Sequence, residues 1–301
     1  MNKINALLNV LKAHNINYKE NQILKNYTTL HIGGSISCLV EPNNIEEIIL
    51  CLSSCTEYEI PYYVLGHGSN VLGLDRGYDG LILVLPTHFN HVTRKGKLLY
   101  VESGMSLKEL CEFACKQQLD GLSFACGIPG SVGGAIVMNA GAYDGEISDV
   151  VKQVTYLDEA FNIKVLTKKE LAFSYRHSYF SDHKGIVLEA VFECKQGETS
   201  VIQARMNELN RARCASQPLS DYSAGSTFKR PLGNYASALI KEANLAGFKV
   251  GDASVSSKHT GFLINQGNAT SDDFLTLMKE VQKQVKIKSG YELECEIKII
   301  K

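Results

Sequence analysis

Residues 127–147 read GIPGSVGGAIVMNAGAYDGEI, with glycines at 127, 130, 133, 134, 141 and 145. A glycine inside a regular element costs about 0.5–1 kcal/mol relative to alanine. Six of them in nineteen residues therefore mark a backbone that turns sharply or lets a ligand touch the main chain. Pro129 stiffens the turn and has no N–H to give. The run from Gly130 to Gly134 is expected to offer several N–H groups to one anionic object. The plainer reading is a glycine-rich connection between two core elements. The apolar AIVM that follows argues against a solvated linker, so the loop is built into a core.

A second loop of the same kind lies upstream. A strand expected over Ile60–Leu65 runs into GHGSN, residues 66–70. It begins like G-x-G-x-x-G, but Val71 stands where the third glycine belongs, so the dinucleotide fingerprint of a doubly wound fold fails. No G-x-x-x-x-G-K-[ST] occurs either. Gly66 and Gly68 still allow close backbone approach, and Ser69 and Asn70 add side-chain donors. An ordinary turn is the alternative for this loop alone. Two such loops in one chain favour a dinucleotide or another phosphorylated cofactor.

The bulk properties narrow the class. The chain has 301 residues, 45% hydrophobic, with net charge −1 and pI near 6.7. That balance gives no electrostatic footprint for nucleic acid or an anionic membrane. No apolar run is long enough to span a bilayer. The N-terminus reads as an amphipathic helix (Ile4, Leu7, Leu8, Leu11) and not as a signal peptide. Nine scattered cysteines without a C-x-x-C pair read as small core hydrophobes in a reducing, cytoplasmic setting, with no metal site.

Taken in order, Tyr27–Val40 mixes β-formers with a turn at Gly33–Gly34. A helix is expected after Asn44, and strands at Leu81–Leu85 and Leu98–Glu102. Ser106 and Glu109 have capping-box spacing ahead of a further helix. Strands are expected at Val150–Leu157, Asn162–Leu166 and Gly185–Phe192. Several strands follow one another without helices between them, which suggests an α+β cofactor domain. A polar helix over Thr199–Cys214 is expected to link two domains. Ser223–Pro231 reads as a small-residue loop, and Tyr235–Ala246 as a helix stopped by Gly247. A short strand follows at Thr260–Asn265. Ser271 is expected to cap a helix with Phe274, Leu277, Met278, Val281 and Val285 on one face. YELECEIKII, residues 291–300, alternates like a terminal strand.

Four blocks together carry a family resemblance. They are YTTLHIGG; LGHGSNVLGLDRGYDGLIL; FACGIPGSVGGAIVMNAGAYDGEI with YRHSYF; and AGSTFKRP with KHTGFLIN and LECEIKII. The chain resembles the UDP-N-acetylenolpyruvoylglucosamine reductases, flavoenzymes of peptidoglycan synthesis. The second block alone would indicate only the wider vanillyl-alcohol-oxidase (PCMH) type of FAD-binding fold. The resemblance implies a two-lobed FAD-binding domain over 1–196, with lobes of about 1–57 and 58–196. A C-terminal α+β substrate domain would follow over 197–301.

It further implies FAD as cofactor, with its pyrophosphate on Gly66, His67, Gly68, Ser69 and Asn70. Other cofactor contacts would come from Gly127, Ile128, Pro129, Gly130 and Ser131. Gly133, Gly134, Ala135, Asn139, Gly141 and Gly145 would complete them, with Thr28, Thr29, Gly33 and Gly34 nearby. NADPH would be the co-substrate, and hydride would pass through FAD to C3 of UDP-N-acetylglucosamine enolpyruvate. Hydride addition pushes charge onto the conjugated carboxylate, so the site needs a fixed cation and an acid for C2. Arg176 matches the cation, Ser226 the proton donor and Glu296 the assisting carboxyl group. Tyr175 and Lys229 match substrate contacts. No nucleic acid, membrane or obligate protein partner is implied.

Each residue also has an ordinary reading. Arg176 could be an ion-pair arginine, and Ser226 a turn residue after Gly225. Alternation alone does not choose Glu296 over Glu294. His67 stands where another glycine is common in the family. Few residues separate YRHSYF from GIVLEAVFEC, so the chain looks like the shorter form, without the inserted tyrosine-bearing loop of the longer one. A flavin oxidase of the same superfamily and a non-catalytic nucleotide-binding module are the rival functions. The oxidase has no need for the AGSTF serine and the terminal glutamate together, and the module would show no substrate-linked turnover.

Overall fold

The computed structural model describes residues 3–301. They form two compact units. One takes the chain up to Tyr18, Leu39–His67 and Leu81–Arg213. The other takes Lys19–Cys38, Gly68–Gly80 and Cys214–Lys301.

The first unit is built on a five-stranded antiparallel sheet. Its strands run, edge to edge, Ile163–Thr167, Val151–Leu157, Ile186–Glu193, Leu98–Glu102 and Val92–Lys95. Leu99, Val101, Val154, Ala190 and Phe192 are fully buried in its core, or nearly so. The helices Leu107–Lys116, Val132–Met138 and Thr199–Ser216 add Leu110, Ile136 and Met206 to that core. Ser106 caps the first of these by accepting the Glu109 N–H, and the Glu109 carboxylate accepts the Ser106 hydroxyl. The strand Tyr62–Leu65 pairs in parallel with Leu81–Val84 and ends at Gly66. The helix Ile45–Glu57 begins at Asn44, whose side chain accepts from Glu47 N–H, with Glu46 and Glu47 in the first turn. An acidic first turn suits the positive end of the helix dipole.

The second unit has a four-stranded antiparallel sheet ordered Tyr222–Ser226, Phe262–Asn265, Ala253–Val255 and Lys249–Val250. The helices Ala236–Glu242 and Ser271–Ser289 contribute Leu239, Ile240, Phe274, Leu277 and Val281 to its core. A separate parallel pair joins Val71–Gly73, directly after GHGSN, to Lys298–Ile300.

Four expectations change. Thr270, not Ser271, caps the long helix, in a capping box with Asp273. The Ser271 N–H and hydroxyl instead make a reciprocal pair with Asp75. The helix after Tyr235 stops at Glu242, a turn short of the expected end, and Gly247 (φ +74°) serves the following turn. Tyr222–Ser226 is a strand and not a loop, because Phe262–Asn265 supplies its pairing despite poor intrinsic propensity. Only Lys298–Ile300 of the alternating terminus is strand, since its partner is three residues long.

Cys38, Cys51, Cys55, Cys111, Cys115, Cys126 and Cys194 are buried and Cys295 partly so, while Cys214 is exposed. Burial pushes the Cys38 thiol up to about 12, with the Glu20 charge adding to the effect. Burial, with a smaller contribution from Asp120, pushes Cys194 up to about 11. A thiol held protonated is a poor nucleophile, so these side chains pack as hydrophobes.

Candidate active site

In the first unit the glycine-rich segment folds as a turn, a short helix and a hairpin. Ser131 caps Val132–Met138, and its Oγ accepts the Gly134 N–H. The N–H groups expected to face an anion are largely engaged. Val132 donates to Met105 O, Gly133 to Ser103 O and Ala135 to Ser131 O. The sequence shows the donors but not the two carbonyls that come from the turn after Leu98–Glu102.

Most of these glycines are required by protein packing. A Cβ on Gly127 would lie 2.7 Å from Arg213 Nε, and one on Gly145 would lie 2.7 Å from the Phe124 ring. On Gly141 it would meet Gly145 O at 2.9 Å, and on Gly133 the Ser103 Cβ at 3.0 Å. Gly66 packs the same way against Ser131 Oγ. Gly134 differs: it is exposed, and a Cβ there would meet Ser131 Oγ at an ordinary 3.4 Å. Packing does not require a glycine there, whereas close approach by a ligand would. Pro129 is exposed beside half-buried Ile128 and Gly130, and Ala135 is buried.

The segment also builds the turn that carries Arg176. Asn139 is fully buried in a left-handed conformation (φ +42°). Its Nδ2 donates to Ser174 O at 3.0 Å, and its Oδ1 accepts the Ser148 N–H at 3.0 Å. Both ends of this amide are engaged within the protein, so the Asn139 side chain positions the turn. Ser174 and His177 exchange two backbone hydrogen bonds, and Ser178 Oγ donates to Val137 O. Tyr175 and Arg176 lie at the tip. Arg176 has φ +55°, is half-buried, donates from Nη2 to Gly141 O at 3.1 Å, and lies 5.0 Å over the exposed Tyr175 ring.

In the second unit three of the sequence blocks meet. The Thr29 N–H donates to Gly68 O, and its Oγ1 donates to Ser223 O at 2.6 Å. Gly68 (φ +62°) has no room for a side chain against Tyr27 O and Thr28 Cα. The His31 ring stacks on Tyr222. Asn70 Nδ2 donates to Glu296 O, and Asn70 O accepts the Lys298 N–H, so the end of GHGSN is fastened beside Glu296. The N–H groups of residues 66–70, including exposed His67 and half-buried Ser69, have no protein acceptor among the described residues.

Ser226 is exposed at the end of its strand. The pairing with Phe262–Asn265 slips between Ser223 and Ser226, where Gly225 takes φ +76°. Such a bulge re-aims the side chain that follows it. The next residue, Thr227, is fully buried and fixes the register. Its N–H donates to Gly261 O, its Oγ1 accepts the Leu263 N–H, and its carbonyl accepts the Glu296 N–H at 2.9 Å. Ser226 and Glu296 are thereby brought onto adjacent backbone. Lys229 Nζ pairs with Glu294 Oε1 at 2.5 Å. Glu294 is exposed and engaged with that lysine, whereas Glu296 is half-buried, which separates two carboxylates that alternation left equivalent.

Buried hydroxyls without a protein partner are uncommon and call for an explanation. Among the described residues these include Thr28 Oγ1, next to Gly68, and Ser103 Oγ, next to Gly133. Both lie against glycine-rich backbone.

The comparisons bear on what completes these sites. Residues 36–161 match the FAD binding domain family, and residues 217–300 match the UDP-N-acetylenolpyruvoylglucosamine reductase, C-terminal domain. The chain is 45% identical over 288 residues to the UDP-N-acetylenolpyruvoylglucosamine reductase of Clostridium botulinum (strain Alaska E43 / Type E3), with 94% of each chain covered. It superposes on the crystal structure of the reductase of that name from Thermus caldophilus with a TM-score of 0.80 and 36% identity, covering 94% of this chain and 98% of that one. Cholesterol oxidase from B. sterolicum matches 61% of this chain and 38% of its own at TM-score 0.50 and 12% identity, a likeness of fold alone. FAD suits what is present: two unpartnered hydroxyls, the loop N–H groups of residues 66–70, and the open face of Gly134.

Proposed function

The chain belongs to the UDP-N-acetylenolpyruvoylglucosamine reductase family, and from that premise we propose how its own residues carry the reaction and that NADPH is the reductant. As a member it is an FAD-dependent oxidoreductase of peptidoglycan synthesis that reduces UDP-N-acetylenolpyruvoylglucosamine. When bound, FAD would supply the hydride that the substrate receives at C3. Gly66–Asn70, through backbone N–H groups, and the Gly127–Gly145 segment, through the open face of Gly134, would hold the cofactor.

Arg176 binds the enolpyruvyl carboxylate. Its planar guanidinium can grip both oxygens at once, which a lysine cannot do. As charge moves onto that carboxylate, the fixed cation stabilises the enolate without having to reorganise. Tyr175, under the guanidinium, limits its swing. Ser226 delivers the proton to C2 from its hydroxyl. A serine hydroxyl is a weak acid, so Glu296, on the adjacent backbone, orients it and supports proton replacement. Lys229 contacts the substrate only if it exchanges its pairing with Glu294 for a phosphate. The work is assigned to the cytoplasm, where NADPH and reduced thiols coexist. Among the described residues no helix is long and apolar enough to cross a membrane.

The observation that carries this reading is the Gly225 bulge, which leaves Ser226 exposed next to Thr227, whose carbonyl accepts the Glu296 N–H. The test is an anaerobic visible spectrum read before NADPH, after it, and after the enolpyruvyl substrate. Flavin colour that bleaches and then returns supports both half-reactions. Colour that bleaches without returning points to a different electron acceptor and overturns the substrate assignment.

A further inference from the structure

Ser103 lies directly after the strand Leu98–Glu102 and is 2% exposed. Its backbone is fully engaged: the N–H donates to Leu188 O at 2.9 Å, and the carbonyl accepts the Gly133 N–H at 2.7 Å. Its hydroxyl alone has no protein partner among the described residues. The side chain lies on Gly133, where a Cβ would come within 3.0 Å of Ser103 Cβ, and Gly133 precedes the exposed Gly134. Glycine at 133 and serine at 103 are therefore fitted to each other. A buried hydroxyl left unpaired destabilises a protein, and a ligand that supplies the missing partner recovers the loss.

We infer that Ser103 is a cofactor-contacting residue whose Oγ hydrogen-bonds a polar atom of the bound flavin nucleotide beside Gly133–Gly134. This rests on the FAD reading and adds to it a third chain segment, the Ser103–Gly104 turn between the two glycine loops. A hydroxyl serves here because it can donate or accept, so it pairs with either kind of cofactor atom. Ser254 provides an internal control. Its Oγ also lacks a protein partner, but it lies mid-sheet, paired with Lys249 on one side and Ile264 on the other.

The experiment titrates FAD into apoprotein of the wild type, Ser103→Ala, Ser103→Cys and Ser254→Ala, and records the melting temperature of each apoprotein. One lost hydrogen bond weakens binding about tenfold, so the FAD Kd of Ser103→Ala is expected to rise by about that factor. Its apoprotein should melt no lower than the wild type, because an unpaired group has been removed. Ser103→Cys, which keeps a weak donor, should fall between, and Ser254→Ala should bind FAD as the wild type does. A Kd for Ser103→Ala within twofold of the wild type overturns the inference. So does equal weakening in Ser254→Ala, which would make the effect general. If wild-type apoprotein takes up no FAD, the cofactor reading itself fails, a result distinct from either.

Discussion

Arg176 and Ser226 both stand where the backbone enters the left-handed region, but the two sites reach it differently. Arg176 adopts φ +55° itself, whereas Ser226 follows a glycine that adopts φ +76° on its behalf. The left-handed region costs a residue with a Cβ roughly 1–2 kcal/mol, and glycine almost nothing. The arginine turn therefore carries its strain on Arg176 itself and must be held from outside. Asn139, Ser178 and the Ser174–His177 pair do the holding. The serine bulge needs no such clamp, because its neighbours fix only register. The first site should be sensitive to changes in its supports, and the second to changes in its glycine.

The variant expected to lose most is Ser226→Ala. General acid catalysis contributes about 10²–10⁴-fold, so turnover should fall by that range while NADPH still bleaches the flavin at the wild-type rate. Stopped-flow traces of the two half-reactions check this, and an unchanged reoxidation rate would remove the serine from the chemistry. Arg176→Lys should lower turnover by about 10²–10³ through lost charge stabilisation. Reductive bleaching should be spared there too, as steady-state and half-reaction kinetics would show.

Asn139→Ala tests the claim of outside support. It unpairs the Ser148 N–H, a loss of about 1–3 kcal/mol, and takes one of two donors from Ser174 O, which keeps the His177 N–H. Urea melts should show that destabilisation, and substrate KM should rise because the arginine turn loosens. A variant that is merely less stable, with KM unchanged, breaks the link between the two. The smallest change belongs to Gly225→Ala. A Cβ there would meet nothing within 4 Å, so its cost should be conformational only, about 1 kcal/mol in a urea melt. A loss above about 3 kcal/mol would mean that the bulge is clamped after all, and would erase the contrast with Arg176.

Much of the architecture is legible in sequence where burial is periodic. Leu98–Glu102 is a strand over the residues its pattern marks, and the face from Phe274 to Val285 is buried as expected. Legibility fails where a partner decides. Ser223–Ser226 lacks side chains that favour strands, and only pairing with Phe262–Asn265 makes it one. Residues 291–297 alternate but find no full-length neighbour. At the site, the glycines point to close approach but do not say what approaches. Arg213 and Phe124 claim that space at two of them, and no local pattern reveals either. Ser103 left only a faint trace, a Ser-Gly pair directly after a strand, which becomes informative once its unpartnered hydroxyl is seen.

The bond from Asn70 to Glu296 spans 226 positions, and this sets an order of events during synthesis. At about 5–20 residues per second, roughly 10–45 s separate the emergence of residue 70 from that of residue 296. Throughout that interval the GHGSN loop lacks the strand that fastens its far end. The nascent chain therefore carries a loop whose far end stays loose until synthesis is nearly over, and its final shape is a late event, completed only after Lys298–Ile300 has docked along Val71–Gly73.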